Sequence, residues 1–170
     1  MVHPYPTYRP ATEADVEFLS TRLRREDVRE IQAASGRTPC ESLSLGLKHS
    51  SPHAITLCCP KTGASYAMCG IMPQGCGCGV VWLLATDEIK NHILPFQRTI
   101  KALLCEIWAS GRYHTIGNGV HSRNHTAIDW LLRLGFKFWT HARAGKYDDL
   151  FYLFEMTIPD NYKEGHQCVT

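Results

Sequence analysis

The sequence predicts an α+β fold, and three observations support that prediction. Helix and strand signals follow one another in the order β-α-α-α-β-β-β-α-β-α-β-β, without repeats or linkers. The length of 170 residues suits one domain with a real core. A hydrophobic fraction of 44% and a charged fraction of 20% are ordinary for a globular protein. We expect a single domain over residues 1–158 and a polar C-terminal tail over residues 159–170.

Three helices follow a short first strand, and each has a start or stop signal. Thr12 begins the first helix in a pattern that resembles a capping box, and Gly36 ends the second. Thr38, with proline at the first helical position and Glu41, begins the third. We interpret the basic cluster over residues 22–25 as the solvated face of a helix. The predicted elements are a strand over residues 8–12 and helices over residues 12–23, 25–34 and 38–49.

The middle of the chain predicts three strands. A turn over residues 60–63 joins the first two, and the glycine-rich stretch over residues 74–79 forms the next turn. The third strand is continuously apolar, which is typical of a central strand covered on both faces. The predicted strands cover residues 54–59, 65–72 and 80–85.

The last part of the chain predicts a helix, a strand, a second helix and two strands. A polar stretch over residues 87–92 precedes the first of these helices, which has a clean amphipathic stripe. Asn124 begins the second helix, and Gly135 stands where a left-handed residue ends it. The predicted elements are helices over residues 95–108 and 124–134 and strands over residues 114–121, 137–141 and 150–158, the last two around a loop over residues 142–149.

The run over residues 124–138 begins with the pattern Asn-x-x-Ala-Ile-x-x-x-x-x-Leu-Gly-Phe. This pattern resembles the acyl-CoA-binding half of GNAT acyltransferases, and the order of elements is similar to that fold from end to end. The resemblance implies a GNAT-like fold, with a central, mixed and mostly antiparallel sheet flanked by helices. It also implies acetyl-CoA as a possible ligand, with Leu84, Thr86 and Asn124 as the candidate contacts.

Two features of active GNAT enzymes are missing. In those enzymes a glycine-containing loop after the fourth strand binds the CoA pyrophosphate, but residues 85–102 of this chain contain no glycine. Asp87 and Glu88 place negative charge near that position. The resemblance also places an acid tyrosine where this chain has Leu131, and a leucine cannot donate a proton.

The sequence assigns no catalytic residue firmly. Glu88 after the fourth strand and His121 at the end of the fifth are the candidates for a base, since acyl transfer in GNAT enzymes occurs where these strands separate. A histidine in such a position is more often a surface or interior residue than a catalytic one.

Composition and spacing bear on other classes of site. Five cysteines fall within residues 58–78 at adjacent and Cys-x-Cys spacings, whereas zinc sites favour two to four intervening residues. We therefore expect small apolar side chains and no metal site. No apolar run approaches the about 20 residues of a membrane-spanning helix, and no signal peptide is visible. A net charge of +2 gives no reason to expect nucleic-acid binding.

Four segments, over residues 9–12, 33–39, 82–87 and 124–138, together resemble one subgroup more closely. That subgroup is the small GNAT-like proteins of T7-type short-tailed phages. The resemblance implies a virion-assembly or virion-associated protein of the internal core or ejection apparatus, with a degenerate acetyl-CoA site. Its partners would be other phage virion or assembly proteins, and its location the host bacterial cytoplasm and the virion. The alternative is an active acetyl-CoA-dependent N-acetyltransferase; the missing glycines and tyrosine favour the assembly role.

Overall fold

The computed structural model describes residues 7–50 and 53–158. Within them the chain forms seven strands, five α-helices and one 3-10 helix. Their bounds, in chain order, are β1 Thr7–Pro10, α1 Glu13–Ser20, α2 Arg25–Ser35, α3 Pro39–Ser50, β2 Ile55–Cys58, β3 Ser65–Gly75, β4 Cys78–Ala85, the 3-10 helix Asp87–His92, α4 Ile93–Ala109, β5 Thr115–His121, α5 His125–Leu134, β6 Lys137–Ala144 and β7 Asp149–Thr157.

The strands form one mixed sheet in the order β1-β2-β3-β4-β5-β7-β6. β4 and β5 run parallel, and the other neighbouring pairs are antiparallel. Parallel neighbours need a crossover connection, and α4 provides it. The predicted order of elements is therefore confirmed, as is the α+β class with a mixed, mostly antiparallel sheet.

Helices cover both faces of the sheet. Neighbouring residues of a strand point to opposite sides, so one strand contributes side chains to both layers. On one face Trp82 of β4 packs against a cluster built mainly from α1, α3 and β3. On the other face Ala85 of β4 packs with Phe96 of α4 and Trp130 of α5. The prediction that β4 is covered on both faces is confirmed.

The first three helices begin where the sequence predicts and α2 ends at the predicted glycine, whereas α1 ends at Ser20, three residues before its predicted end. Thr12 donates from both its N–H and its hydroxyl to the Asp15 carboxylate, each at 2.9 Å, as a capping box requires. Gly36 ends α2 in the left-handed region, with φ 68°. Thr38 caps α3: its Oγ1 accepts from the Glu41 N–H at 3.2 Å, and its own N–H donates to Glu41 Oε2 at 2.7 Å.

Two predicted connections are wrong. β6 continues to Ala144 and β7 begins at Asp149, so a short turn over residues 145–148 replaces the predicted loop. β6 is an edge strand whose side chains are mostly exposed, and it therefore lacks the alternation of apolar residues that marks a half-buried strand. Strand also extends into the glycine-rich stretch, because β3 ends at Gly75 and β4 begins at Cys78. The tail predicted over residues 159–170 lies outside the described residues.

The β6–β7 turn contacts the end of α2. The Lys146 N–H donates to the Ala33 carbonyl at 3.2 Å. Gly145 has a φ of 77°, and a Cβ atom built there would lie 1.9 Å from the same carbonyl oxygen. Only glycine allows this approach, so the turn is fixed against the helix that also borders the candidate site.

Candidate functional site

β4 and β5 are paired only at their beginning and then diverge. Three residue pairs form the parallel ladder, which ends at Val80 and Gly117. Beyond them Asn118 bridges the strands, donating from Nδ2 to the Val81 carbonyl at 2.7 Å. The C-terminal halves of the two strands then border a cleft of about 690 Å³, which we call the splay cleft.

Both faces of the sheet contribute to the splay cleft. Leu45 and Gly46 of α3 line it on one face, and Leu103 of α4 and Leu131 of α5 line it on the other. Its volume is typical of small-molecule sites, which span about 300–1,000 Å³. Because the walls are largely apolar, the few polar groups that face the cleft decide what it can bind.

The backbone of β4 presents alternate residues to the gap. Thr86 donates its N–H to a β3 carbonyl at 2.8 Å. Because alternate residues of an antiparallel pair bond to the same neighbour, Leu84 also bonds to β3, whereas Leu83 and Ala85 face the gap. The Ala85 N–H donates to Asp27 Oδ2 at 2.9 Å. The Leu83 N–H is therefore the donor that β4 directs into the middle of the splay cleft.

α2 closes the end of the cleft beside β4 with a buried ion pair. Arg24 donates to the Asp27 carboxylate from Nε and Nη2, at 3.2 and 2.5 Å. Arg24 is only 1% exposed, and its guanidinium lies over the Trp130 ring, 4.7 Å from the centroid. Burial raises the pKa of the Asp27 carboxyl, and the Arg24 charge opposes that rise. The end of β4 is thus completed by α2 side chains rather than by a neighbouring strand.

Glu30 lies nearly one turn further along α2 and binds the end of β5. Its Oε2 accepts hydrogen bonds from the His121 N–H and from Asn124 Nδ2, both at 3.0 Å. Burial raises the pKa of the Glu30 carboxyl, and these two bonds offset only part of that rise. Glu30 also lines the splay cleft, so a desolvated carboxylate faces the space between the strands.

Two buried polar atoms that border the cleft have no hydrogen-bond partner among the described residues. They are Arg24 Nη1 and the Tyr113 hydroxyl. A buried donor without a partner costs about 1–3 kcal/mol, and buried polar groups without partners are rare in proteins. An oxygen acceptor on a water molecule or on a ligand would satisfy either atom.

Asn124 caps α5 and also lines the splay cleft. Its Oδ1 accepts from the Ala127 N–H at 3.3 Å, which caps α5, while its Nδ2 donates to Glu30. Gly135, with φ 98°, ends the helix. The capped and glycine-terminated helix predicted from the sequence is confirmed. Asn124 is 3% exposed and is among the residues that line the splay cleft, and its contact with a ligand stays a prediction.

The other two predicted ligand contacts lie differently. Leu84 borders the cleft through its side chain, which packs on the α1 and α3 face. Thr86 lies at the start of the 3-10 helix, where its hydroxyl accepts from the Glu88 N–H at 3.3 Å, and it is not among the residues that line the cleft. The β4 donor that faces the gap is that of Leu83, one residue before the predicted position.

Neither candidate base from the sequence faces the splay cleft. The Glu88 side chain is 51% exposed on the 3-10 helix, 3.3 Å from His92 Nε2. The His121 ring lies 3.7 Å from Asp149 Oδ1 and faces a second, separate cavity of about 450 Å³. Among the described residues, three carboxylates line the cleft: those of Asp27 and Glu30 on α2, which bond to the ends of β4 and β5, and that of Glu106 on α4.

Sequence reasoning missed these α2 residues for a physical reason. We interpreted the basic cluster over residues 22–25 as a solvated face, which is wrong for Arg24 because it is buried. Arg24, Asp27 and Glu30 recur at intervals of three, so they share one face of the chain around α2. Charged residues are almost never fully buried unless they are paired, and the pairing depends on β4 and β5, far away in sequence.

The 3-10 helix stands where GNAT enzymes have their glycine loop. The N–H groups of such a helix bond within it, as that of Ile89 does to the Thr86 carbonyl at 3.2 Å. Pro95, in the first turn of α4, has no N–H. Asp87 pairs with Lys90 at 2.5 Å. The start of α4 is therefore built differently from the glycine-containing loop that the sequence resemblance implies.

Other classes of site have little support in the structure. Over residues 7–50 and 53–158, no group of three or more His, Cys, Asp or Glu side chains is placed to hold a metal ion. No helix of that part of the chain is both long and apolar enough to cross a membrane.

Comparison with known proteins gives a fold but no close relative. No family model and no curated protein sequence matches the chain. A GNAT-family acetyltransferase from Streptococcus pneumoniae superposes with a TM-score of 0.64 at 15% identity, over 91% of this chain and 99% of that one. AAC(6')-Ib in complex with ribostamycin and coenzyme A gives 0.68 at 15%, over 98% and 99%. A mutant spermidine N-acetyltransferase from Vibrio cholerae gives 0.64 at 13%, over 92% and 95%. The chain therefore has the GNAT fold.

Proposed function

We propose that this chain is an acyl-CoA-dependent N-acyltransferase with acetyl-CoA as its donor. The observation that carries the proposal is the splay cleft itself. β4 and β5 separate after Val80 and Gly117 and leave a passage of about 690 Å³ that both faces of the sheet border. A donor can enter such a passage from one face and an acceptor from the other.

The groups around the passage suit a thioester. The Leu83 N–H points into the gap as a donor for a carbonyl oxygen, the kind of contact that stabilises charge as it develops. Arg24 Nη1 and the Tyr113 hydroxyl are buried beside the cleft without partners among the described residues. The amides and thioester of an acyl-pantetheine chain would supply the oxygens that these groups lack.

The structural neighbours favour this function over an assembly role. Two of the three reported above are named as acetyltransferases, and the third, AAC(6')-Ib, is named in another of its structures as an aminoglycoside acetyltransferase and was solved with coenzyme A. The phage-assembly reading depends on the subgroup resemblance, on Leu131 and on the glycine-free helix start. Of these, the 3-10 helix is the structural feature that favours a degenerate donor site, because it alters the diphosphate end.

An acetyl-CoA titration decides between the two functions. We expect acetyl-CoA to raise the melting temperature at sub-millimolar concentration, since a ligand at 100 times its Kd adds about 2.7 kcal/mol of stability. Ala127→Phe places a large side chain in the cleft wall and should weaken binding at least tenfold. Ala102→Phe, on the exposed face of α4, is the matched control. The absence of any shift with millimolar acetyl-CoA would count against the enzyme and favour the assembly role.

A further inference from the structure

We propose that Glu30, at the α2 end of the splay cleft, binds the acceptor amine of the proposed transferase in its ammonium form and takes the proton which that amine must lose. This inference rests on the proposed function, because an N-acyltransferase already implies an amine acceptor. It assigns the base to a residue that no local sequence signal marks.

Over residues 7–50 and 53–158, no cation is hydrogen-bonded to the Glu30 carboxylate. Oε2 accepts two bonds from neutral groups, the His121 N–H and the Asn124 amide. Arg24 is the cation on the same helix face, and its Nε and Nη2 are engaged with Asp27. A buried carboxylate paired only with neutral donors is costly when ionised. A cationic ligand in the cleft would remove that cost.

The net charge of Arg24, Asp27 and Glu30 taken together also favours an ammonium ion as the ligand. Asp27 and Glu30 contribute two negative charges when ionised, whereas Arg24 contributes one positive charge, so an ionised group is negative by one. An ammonium ion makes the group neutral, whereas an anionic acceptor would raise the excess. The low dielectric of a buried site makes this preference larger than it would be at a surface.

The unpartnered Arg24 Nη1 is the second, independent indication of a ligand. The Arg24 side chain is 1% exposed and lines the splay cleft, and Nη1 has no partner within the described part of the chain. It is a charged donor that can form a hydrogen bond to a carbonyl oxygen. Glu30 and Arg24 thus provide, at one end of one cleft, a carboxylate for an amine and a donor for an acyl oxygen.

The transfer step follows from these positions. The ammonium gives one proton to the carboxylate of Glu30, and the free amine attacks the thioester carbon, forming the C–N bond. The carbonyl electrons move to the oxygen, where Arg24 Nη1 and the Leu83 N–H can stabilise the charge. The C–S bond then breaks, the thiolate takes the second proton of the nitrogen, and the proton on Glu30 passes to solvent. The products are an amide, CoA thiol and one released proton.

The electrostatic surroundings of Glu30 suit a base. Arg24 and Asp27 on its own helix face act on it in opposite directions, and His121 on β5, whose ring bears on Asp149 of β7, contributes its backbone N–H. Burial has the largest effect and raises the pKa of Glu30. A base whose pKa lies nearer the working pH transfers protons more effectively.

A purely structural role for Glu30 makes a different prediction. Glu30 also joins the end of β5 to the start of α5, so its loss could act through stability alone. Glu30→Gln keeps an oxygen that can accept from the His121 N–H and from Asn124, and removes only the charge. Glu17→Gln, on the exposed side of α1, is the matched control.

The test measures CoA thiol release with acetyl-CoA and either spermidine or ribostamycin as the acceptor between pH 6 and 9.5. We expect Glu30→Gln to lower kcat by about 10²–10⁴-fold, to raise the KM for the amine and to remove the acidic limb of the pH profile. The Kd for acetyl-CoA should stay within twofold, and Glu17→Gln should behave as the unchanged protein. Glu30→Asp keeps the charge, so it should retain an acidic limb at a lower rate, and it decides the question if the Gln variant does not fold.

Three outcomes separate the two proposals. Glu30→Gln with kcat within threefold of the unchanged protein and the same pH profile would overturn the role of Glu30 and leave the acyltransferase standing. Binding of acetyl-CoA without transfer to either amine would overturn the ammonium subsite. Failure of the unchanged protein to bind acetyl-CoA would overturn the proposed function itself.

Discussion

Asp15 in α1 and Glu30 in α2 are both held by hydrogen bonds from neighbouring strands or their ends, yet their surroundings are opposite. Asp15 is 3% exposed and accepts five hydrogen bonds, at 2.7–2.9 Å, from Arg9, Thr12 and Ser65. Glu30 accepts two, both at 3.0 Å and both on one oxygen. Burial raises the pKa of Asp15, but its hydrogen bonds outweigh burial and lower the pKa overall. For Glu30 burial prevails and the pKa is raised.

The difference separates a carboxylate that builds the fold from one that is available for chemistry. Asp15 is saturated, because Arg9 supplies a cation and Thr12 and Ser65 fill the remaining sites of both oxygens. Glu30 lines the splay cleft, and within the described part of the chain its Oε1 accepts no hydrogen bond and no cation is bonded to it. Perturbed carboxylates with unused capacity in a cleft are candidates for function.

The largest expected effect on stability comes from removing Arg24, the cation that is paired with Asp27 of α2. Arg24→Met leaves the buried Asp27 carboxylate unpaired beside Glu30, and breaking a buried pair on one side costs about 3–5 kcal/mol. Urea unfolding followed by circular dichroism measures the loss. Arg25→Met, on the exposed face of the same helix, should stay within about 0.5 kcal/mol. If Arg24→Met lowers the free energy of unfolding by less than about 1 kcal/mol, the Asp27 carboxylate does not need Arg24 as its ionic partner.

An intermediate effect is expected at Asp15. Asp15→Asn removes the charge that Arg9 and Ser65 contact and weakens the capping box, and hydrogen bonds to charged groups contribute about 1.5–3 kcal/mol. Arg9 is 46% exposed, so solvent screens part of this pair, and we expect a loss of about 1–3 kcal/mol. The rate of acyl transfer should stay within twofold, in contrast to Glu30→Gln. A tenfold fall in that rate, with the protein folded, would break the comparison.

The smallest effect is a difference in the slope of stability against pH. The folded-state pKa of Asp15 lies below its usual 3.8, so its stabilisation is present above that pH and is lost as pH falls below it. The folded-state pKa of Glu30 lies above its usual 4.5, so the folded protein binds the extra proton and loses stability as pH rises through that window.

Melting temperatures between pH 3 and 7 measure both slopes. The gap between the unchanged protein and Asp15→Asn should narrow below about pH 4. Glu30→Gln should gain on the unchanged protein as pH rises above about 4.5. If the melting-temperature curves of both variants run parallel to that of the unchanged protein, the opposite pKa shifts of Asp15 and Glu30 are contradicted.

Local signals predicted most of the fold but little of the site. Thr12, Thr38 and Asn124 mark helix starts through hydrogen bonds to residues three positions away, and Gly36 and Gly135 need a left-handed backbone. Such contacts are encoded within one turn of chain.

The chemistry of the cleft depends on contacts between distant segments. Asp27 bonds to Ala85, and Glu30 bonds to His121 and Asn124, across 58, 91 and 94 residues. No periodic pattern records such pairs. Glu88 and His121 were the natural candidates from the sequence because they follow or end strands, but neither is among the residues that line the splay cleft.

The close contact between the β6–β7 turn and α2 has a mechanical consequence. Lys146 bonds to Ala33, one turn after Glu30, and Gly145 leaves no gap at that junction. From the far edge of the sheet, the hairpin therefore braces the end of α2 that follows Glu30, although the turn itself does not line the splay cleft.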